Sequence, residues 1–447
     1  MKIAVVGGGI SGLAAALRIR EHGPAGTTVT VYEQAPGLGG KLRTGTVAGS
    51  TVELGAEAFL VRDATGGDSA AVALARRVGL GDSLVHPAVQ RAGLAHGGRL
   101  VPLPGGTLMG VPSDLESVKA VAQPAADLDA DNGRPLLGPG EDVAVGAFVR
   151  RRLGDEVVDR LVDPMLGGVY AGRADELSLA ATMPGLATAA RTEHTLTGAV
   201  KAALAAAPRP PGTPVFATVA GGLSRLVRAV AEAAGARIRL GTAVRELRRT
   251  AKGWELLAGT ETVTADAVVL AVPARHAARL LHTEPIVDYA SVALVTLALP
   301  GARLPDLSGF LVPAGEGTLM KAATFFTTKW AHLTRPAGVA IVRGSVGRYG
   351  EEPLLHRSDA DLGAHVHREL STLVGDDLPP PVGTHVRRWG GSLPQYTPGH
   401  LDRVAETRAA LPPTLAVAGA GYDGVGIPAC VRSGEAAADE VLKGLEA

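Results

Sequence analysis

The sequence predicts an α/β protein whose main sheet is drawn together from three distant parts of the chain. Three observations predict it. Residues 1–35 read as strand, glycine turn, helix and strand. The strand–glycine–helix order returns in the middle and at the end of the chain. Ala267–Val272 is an apolar run ending at Pro273, as expected of a parallel strand buried on both faces.

The elements follow in order. Ile3–Val6 is a short apolar strand, and Ile10–Glu21 carries Ile10, Leu13, Ala14 and Leu17 at helical spacing. Thr28–Tyr32 is β-branched and aromatic, a second strand, and Pro36 stops regular structure. Ala70–Val78 is a short helix closed by Gly79. Gln123–Glu141 is rich in Pro, Gly and Asp without periodicity, so a long, mobile surface loop is expected. Val143–Leu153 and Glu156–Leu166 read as consecutive helices. Gly221 and Gly222 precede a helix over Leu223–Ala233, then a strand over Arg237–Leu240. Val244–Leu247 and Trp254–Leu257 can pair as a hairpin. Ala290–Leu299 is strand-like and ends at Pro300. Leu415–Ala418 is the last apolar run, followed by Gly419, Gly421, Gly424, Gly426 and a helix to Leu442.

Composition excludes several functions. With 46% apolar and 20% charged residues over 447 positions, the chain is globular and long enough for two or three domains. Lys+Arg and Asp+Glu balance at 44 each, which argues against nucleic acid as the main partner. Cys430 is the only cysteine, so no internal disulfide or cysteine-based metal centre is expected, and no metal site is assigned. The start, MKIAVVGGG, runs straight into a glycine turn, unlike a secretory leader. No window approaches the roughly 18–20 apolar residues of a membrane span, so no transmembrane segment is expected. Aromatic residues are only 3%, so a large pocket must be walled mainly by aliphatic side chains.

Gly7-Gly8-Gly9-Ile10-Ser11-Gly12 matches G-x-G-x-x-G between a strand and a helix. Gly7 permits the tight turn, Gly9 lets a pyrophosphate approach the backbone, and Gly12 lets helix and strand pack closely. The free N–H groups of the helix start then face the anion. Glu33, ending the second strand, can accept from both ribose hydroxyls and argues against a 2′-phosphate. The fingerprint alone does not separate NAD from FAD. In GLGGKLRT (Gly37–Thr44) a second glycine pair can meet the same pyrophosphate, with Lys41 and Arg43 as cations.

GGGISGLAAA, GLGGKLRT and GAEAFL (Gly55–Leu60) together resemble the flavin amine-oxidase superfamily. PLPGGTLMGVP (Pro102–Pro112), the long segment Arg151–Ser178, SLPQYTPGH (Ser392–His400) and GYDGVGIPACVRSG (Gly421–Gly434) resemble the oxygen-dependent porphyrinogen oxidases. That family includes protoporphyrinogen oxidase and the coproporphyrin-forming coproporphyrinogen III oxidase of Gram-positive bacteria. The likeness runs nearly end to end. It implies a Rossmann-like FAD-binding domain built from discontinuous segments (1–45, 213–280 and 410–447). It further implies a mixed α/β substrate domain (46–88, 190–212 and 281–409) and a helical domain (89–189).

The resemblance puts noncovalent FAD on Gly7, Gly8, Gly9, Ile10, Ser11, Gly12, Glu33, Gln34, Gly40, Lys41 and Leu42. It adds Gly55, Ala56, Glu57, Ala58, Val244, Trp389, Gly421, Val425, Gly426 and Ile427. Gly424 and Gly426 would let backbone lie flat against a planar ring, and the helix after Pro428 would aim its positive end at the flavin. Cys430 reads as a small buried thiol rather than a covalent flavin link.

The implied reaction is an FAD-dependent, O2-using six-electron oxidation of coproporphyrinogen III to coproporphyrin III, with release of H2O2, in haem biosynthesis. Protoporphyrinogen IX is the alternative substrate. An amine oxidase or carotenoid desaturase-like enzyme, and a flavin-containing porphyrin carrier, stand further off. Propionates need cations: Arg62 is the first candidate, with Lys321 and Lys329 behind it. Gly167, Gly168, Val169 and Tyr170 match the family's substrate-cavity segment, and Met320 and Leu311 are candidate apolar wall. No acid or base is assigned; His194, His282 and His400 are expected in loops or core. A cytoplasmic protein is expected, soluble or loosely peripheral to the inner face of the membrane. Hand-over of product to the next haem-pathway enzyme is a partner that the resemblance allows.

Overall fold

The computed structural model describes residues 1–207, 212–333 and 335–446; residues 208–211, which fall within the expected 190–212 segment, lie outside this description. Five parallel strands form the sheet foreseen from sequence, in the order Arg237–Arg239, Thr28–Tyr32, Lys2–Val6, Ala267–Leu270 and Leu415–Val417. Apart from Lys2–Val6 and Thr28–Tyr32, neighbours in this sheet come from distant parts of the chain. Val5 and Val269 are fully buried, as are Val268 and Leu270.

Alternation explains why both faces are apolar. Ile3, Val5, Val29, Val31 and Val269 pack on one side against the helices Ile10–His22, Leu223–Ala234 and Ile427–Glu446. Ala4, Val6, Val268 and Leu270 face the other way, in one core with Trp254 and Leu256 of an antiparallel three-stranded sheet. The sequence foresaw two of those strands. The third, Glu261–Ala265, is exposed over most of its length, and only Val263 and Ala265 turn an apolar side chain to the core.

A second, seven-stranded sheet runs Gly383–Gln395, Asp288–Pro300, Val339–Val346, Met320–Phe325, Gly309–Leu311, Gly93–His96 and Arg99–Pro102. Its strands pair antiparallel except Gly309–Leu311 with Gly93–His96. Leu362, Val366 and Leu370 of the helix Asp359–Val374 fill one of its faces. A helical region over Val145–Ala206 packs around Val149, Leu153, Leu161, Leu166 and Leu186. The helix expected over 156–166 is broken there by a π-helical turn at Val158–Val162, after which Asp163–Tyr170 continues.

The stretch Gln123–Glu141 corrects an expectation. It carries little regular structure, but it is pinned: Asp129 is buried and accepts from the backbone N–H of Leu196 (2.6 Å) and Thr197 (3.0 Å). The acid caps the helix Leu196–Ala206 from a distant part of the chain, which composition does not reveal.

The first and last helices touch at backbone distance. A Cβ on Gly434 would collide with the Ser11 carbonyl oxygen. Gly434→Ala should therefore destabilise the protein by about 1–3 kcal/mol, the range for overpacking a filled core. Thermal unfolding reads this directly, and an unchanged midpoint would mean that the two helices do not meet so closely.

Candidate active site

Both chain ends, the second sheet and the helical region enclose one cavity of about 2190 Å³. That is about twice the roughly 1,000 Å³ at the upper end of ordinary small-molecule sites. At its floor the strand Lys2–Val6 turns into the helix Ile10–His22 through Gly7, whose φ of 111° and close approach to the Ala271 carbonyl exclude a side chain. Gly9 caps the helix with no side-chain acceptor and has open space where a Cβ would point, so the first helical N–H groups are free to face the cavity.

Of the residues expected to hold the cofactor, Gly7, Gly9, Ile10, Ser11, Glu33, Gln34, Gly40, Lys41 and Leu42 line this cavity. So do Gly55, Ala56, Glu57, Ala58, Val244, Trp389, Gly421, Val425, Gly426 and Ile427. Two do not. Gly8 is turned toward Leu38 and Glu33, and Gly12 is packed against the Gly7 carbonyl, where its task is helix–strand contact. The Glu33 carboxylate accepts from Gly8 N and Ala35 N, each at 2.7 Å, so it fixes the turn and keeps lone pairs for a further donor.

Among the charged residues of the wall, cations outnumber acids. Burial pushes the Lys41 ammonium below its usual pKa, and nearby Arg275 adds to this. Arg43 Nε is buried without a partner among the described residues. Arg245, Arg275, Arg279 and Arg387 also line the cavity, and none forms an ion pair among the described residues. Arg387 lies over the Trp389 ring at 4.6 Å, and Trp389 Nε1 donates to the Leu54 carbonyl at 2.8 Å. Sequence reading missed these four arginines. Arginine is the prevailing cation throughout the chain, and nothing local sets them apart.

Glu57 is the cavity's main acid, and it is taken. Its Oε1 accepts from Lys329 Nζ (2.6 Å) and Trp330 Nε1 (3.0 Å), and its Oε2 accepts from Arg343 Nη2 (2.7 Å). Burial opposes ionisation here, but Lys329 and Arg343 outweigh it and hold the carboxyl down at about 2. Lys329, a candidate propionate ligand from sequence, is therefore committed to Glu57.

The substrate candidates divide. Gly168, Val169 and Tyr170 line the cavity, with Val169 exposed. Gly167 does not; its carbonyl accepts from Lys321 Nζ at 2.9 Å. Arg62 stands in the lining with Nη1 bonded to the Gly66 carbonyl at 3.0 Å. Met320 is a correction: it is fully buried in the core of the second sheet, outside the lining. A β-bulge is the reason. Met320 opposes Val346 and Ala322 opposes Ser345, so Lys321 is the extra residue, and it is Lys321 that reaches the cavity. Leu311 likewise stays outside the lining, against Gly168.

None of His194, His282 and His400 lines the cavity. His194 pairs with Asp131, His282 ends a helix, and buried His400 stacks on Tyr396 with burial pushing it down to about 4. Cys430 does line the wall, its thiol pushed up by burial and directed at the Gly424 carbonyl at 3.6 Å. No described helix is long and apolar enough to cross a membrane.

Comparison with known proteins agrees with this geometry. The flavin containing amine oxidoreductase family matches residues 10–442. Coproporphyrinogen III oxidase of Mycobacterium tuberculosis (strain ATCC 25618 / H37Rv) is 41% identical, over 99% of this chain and 98% of its own. The Bacillus subtilis (strain 168) protein of the same name is 31% identical, over 98% and 97%. A crystal structure from Exiguobacterium sp. 255-15 superposes with a TM-score of 0.85 at 29% identity, covering 99% of this chain and 98% of that one.

Glu57→Gln should cost roughly 3–5 kcal/mol, because it leaves Lys329 and Arg343 buried without their counter-charge. The wild-type contribution of Glu57 is full above the ordinary carboxyl value of 4.5 and is lost as pH falls toward about 2. Denaturant unfolding across that window should show an acid-sensitive component in the wild type that the variant lacks.

Proposed function

The chain belongs to the flavin containing amine oxidoreductase family, and we propose that it oxidises coproporphyrinogen III to coproporphyrin III with noncovalent FAD, O2 as acceptor and H2O2 as by-product. One observation carries this reading: the glycine fingerprint, the C-terminal glycine segment and Gly168–Tyr170 open onto the same large cavity. A dinucleotide and a macrocycle can then lie side by side.

The residues fit FAD. The uncapped start of Ile10–His22 offers N–H groups to a pyrophosphate, and Lys41 and the orphaned Arg43 Nε offer positive charge. Glu33 takes the ribose, with Gln34 and Val244 beside it. Gly55–Ala58, Trp389, Gly421 and Val425–Ile427 form the bed of the ring. The start of Ile427–Glu446 favours negative charge on that ring when it is reduced. Bound there, the isoalloxazine supplies hydride acceptance and reoxidation by O2. Cys430 stays a thiol. The division into three domains given above remains part of the proposal, as does a cytoplasmic location, at most peripheral to the inner face of the membrane.

A tetra-anionic substrate suits a wall where, among the described residues, Arg62, Arg275, Arg279 and Arg387 lack carboxylate partners. Gly168 and Val169 lie against the macrocycle, and the protein's part is chiefly to orient it. Losing six electrons takes three rounds, hence three H2O2 per porphyrin.

Coproporphyrinogen III and protoporphyrinogen IX, supplied separately, test the substrate through porphyrin fluorescence and peroxide. Faster turnover of the tetracarboxylate is expected; faster turnover of the dicarboxylate overturns the substrate choice. Bound flavin without oxygen uptake on either would make the protein a carrier. Acid precipitation should release the flavin as free FAD, whereas colour retained in the pellet would mean a covalent link. Arg62→Ala should raise KM severalfold and leave flavin content unchanged, and unaltered kinetics would remove Arg62 from the site.

A further inference from the structure

Lys321 has no use in the reading above, and its setting is unusual. It is the extra residue of a β-bulge in Met320–Phe325, a device that re-aims a side chain. It is only 4% exposed, yet it reaches the cavity wall. Its one hydrogen bond among the described residues goes to a neutral acceptor, the Gly167 carbonyl at 2.9 Å, one residue before Gly168–Tyr170.

The charged groups on the segments packed around it are all committed elsewhere. Arg343 holds Glu57, and Lys329 does the same. Glu351, beyond Val339–Val346, pairs with Arg173 and lies 3.8 Å from Arg348. Asp163 accepts from Ala174 N at 2.8 Å, and Glu369 accepts from Leu319 N and Met320 N. Among the described residues no carboxylate pairs with Lys321, in contrast to Lys329. An amine so placed is poorly supported as an ammonium ion.

We infer that Lys321 is the catalytic base that takes the pyrrole N–H proton when hydride leaves the neighbouring meso carbon. This rests on the porphyrinogen reading and deepens it. In each round the meso C–H bond breaks with both electrons going to the isoalloxazine. The N–H bond breaks as well, and its electron pair enters the new conjugated double bond; over the three rounds one further meso proton shifts to a ring nitrogen, so that four meso hydrogens leave and two of the four N–H groups remain. The Nζ lone pair takes the proton. O2 then receives the hydride equivalent, and the ammonium returns its proton to give H2O2, which leaves the amine neutral for the next round. Burial first, then Arg348 and Arg343, bring the Lys321 pKa down to about 7, so the amine is neutral above that pH and able to accept.

Three variants test this by steady-state kinetics across pH, with coproporphyrin III binding measured alongside. Wild-type kcat/KM should rise through about pH 7 and level off. Lys321→Gln can still donate to Gly167 but cannot take a proton. It should keep porphyrin affinity, lose roughly 10²–10⁴ in kcat and lose the limb near pH 7. Lys321→Met places an apolar chain in the same buried space and should behave alike, so a folding defect in one variant does not decide the matter. Ethylamine added to Lys321→Ala should restore turnover in proportion to its neutral form. A Gln or Met variant that keeps the limb, or that raises KM and weakens porphyrin binding at unchanged kcat, overturns the assignment. A flavin-loaded wild type that oxidises no porphyrinogen overturns the underlying reading instead, and the two failures are told apart by which protein shows them.

Discussion

The backbone of Gly434 lies against the Ser11 carbonyl, and the cavity depends on that contact. It clamps the last helix onto the first, so Gly421–Ile427 stands beside Gly7–Ser11 although more than 400 residues separate them. The parallel pairing of Lys2–Val6 with Ala267–Leu270 and of Ala267–Leu270 with Leu415–Val417 holds the same geometry from below. Neither chain end could build a two-sided bed for a planar ring alone. Close backbone approach explains why glycine, not merely a small residue, is required at the crossing.

The charge pattern around that bed has a simple logic. One acid, Glu57, is neutralised by Lys329 and Arg343 and ties the Gly55–Ala58 segment to the second sheet. Among the described residues the remaining wall cations pair with no acid, so their charge is available to ligands that carry phosphate or carboxylate. The fixed pair gives rigidity, and the unpaired set gives affinity. Lys321 belongs to neither group, since it is buried, pairs with no carboxylate among the described residues and sits on a carbonyl.

Much of this was legible early. The βαβ start, the helix Ala70–Arg77, the helix Leu223–Ala234 and the run Ala267–Leu270 are local patterns, and all appear within a residue or two of where periodicity puts them. Gly7, Gly9 and Glu33 also line one cavity, while Gly12 packs against the Gly7 carbonyl. The misses share one cause. Asp129 reads as loop acid because the helix it caps is remote in sequence. Met320 reads as wall and Lys321 as a minor cation because a bulge shifts the side-chain alternation by one residue, and a bulge depends on the partner strand.

The sequence by itself determined the five strands of the parallel sheet, the three helices packed on it and the glycine turn after Lys2–Val6. Those depend on side-chain periodicity and on glycine at fixed spacing, which operate within a few residues. Tertiary structure alone decided which arginines share a cavity, which acid pairs with which cation, and which of two adjacent residues, Met320 or Lys321, faces the cavity. Those outcomes depend on distances between segments far apart in the chain, and a register set across strands is not written in either strand alone.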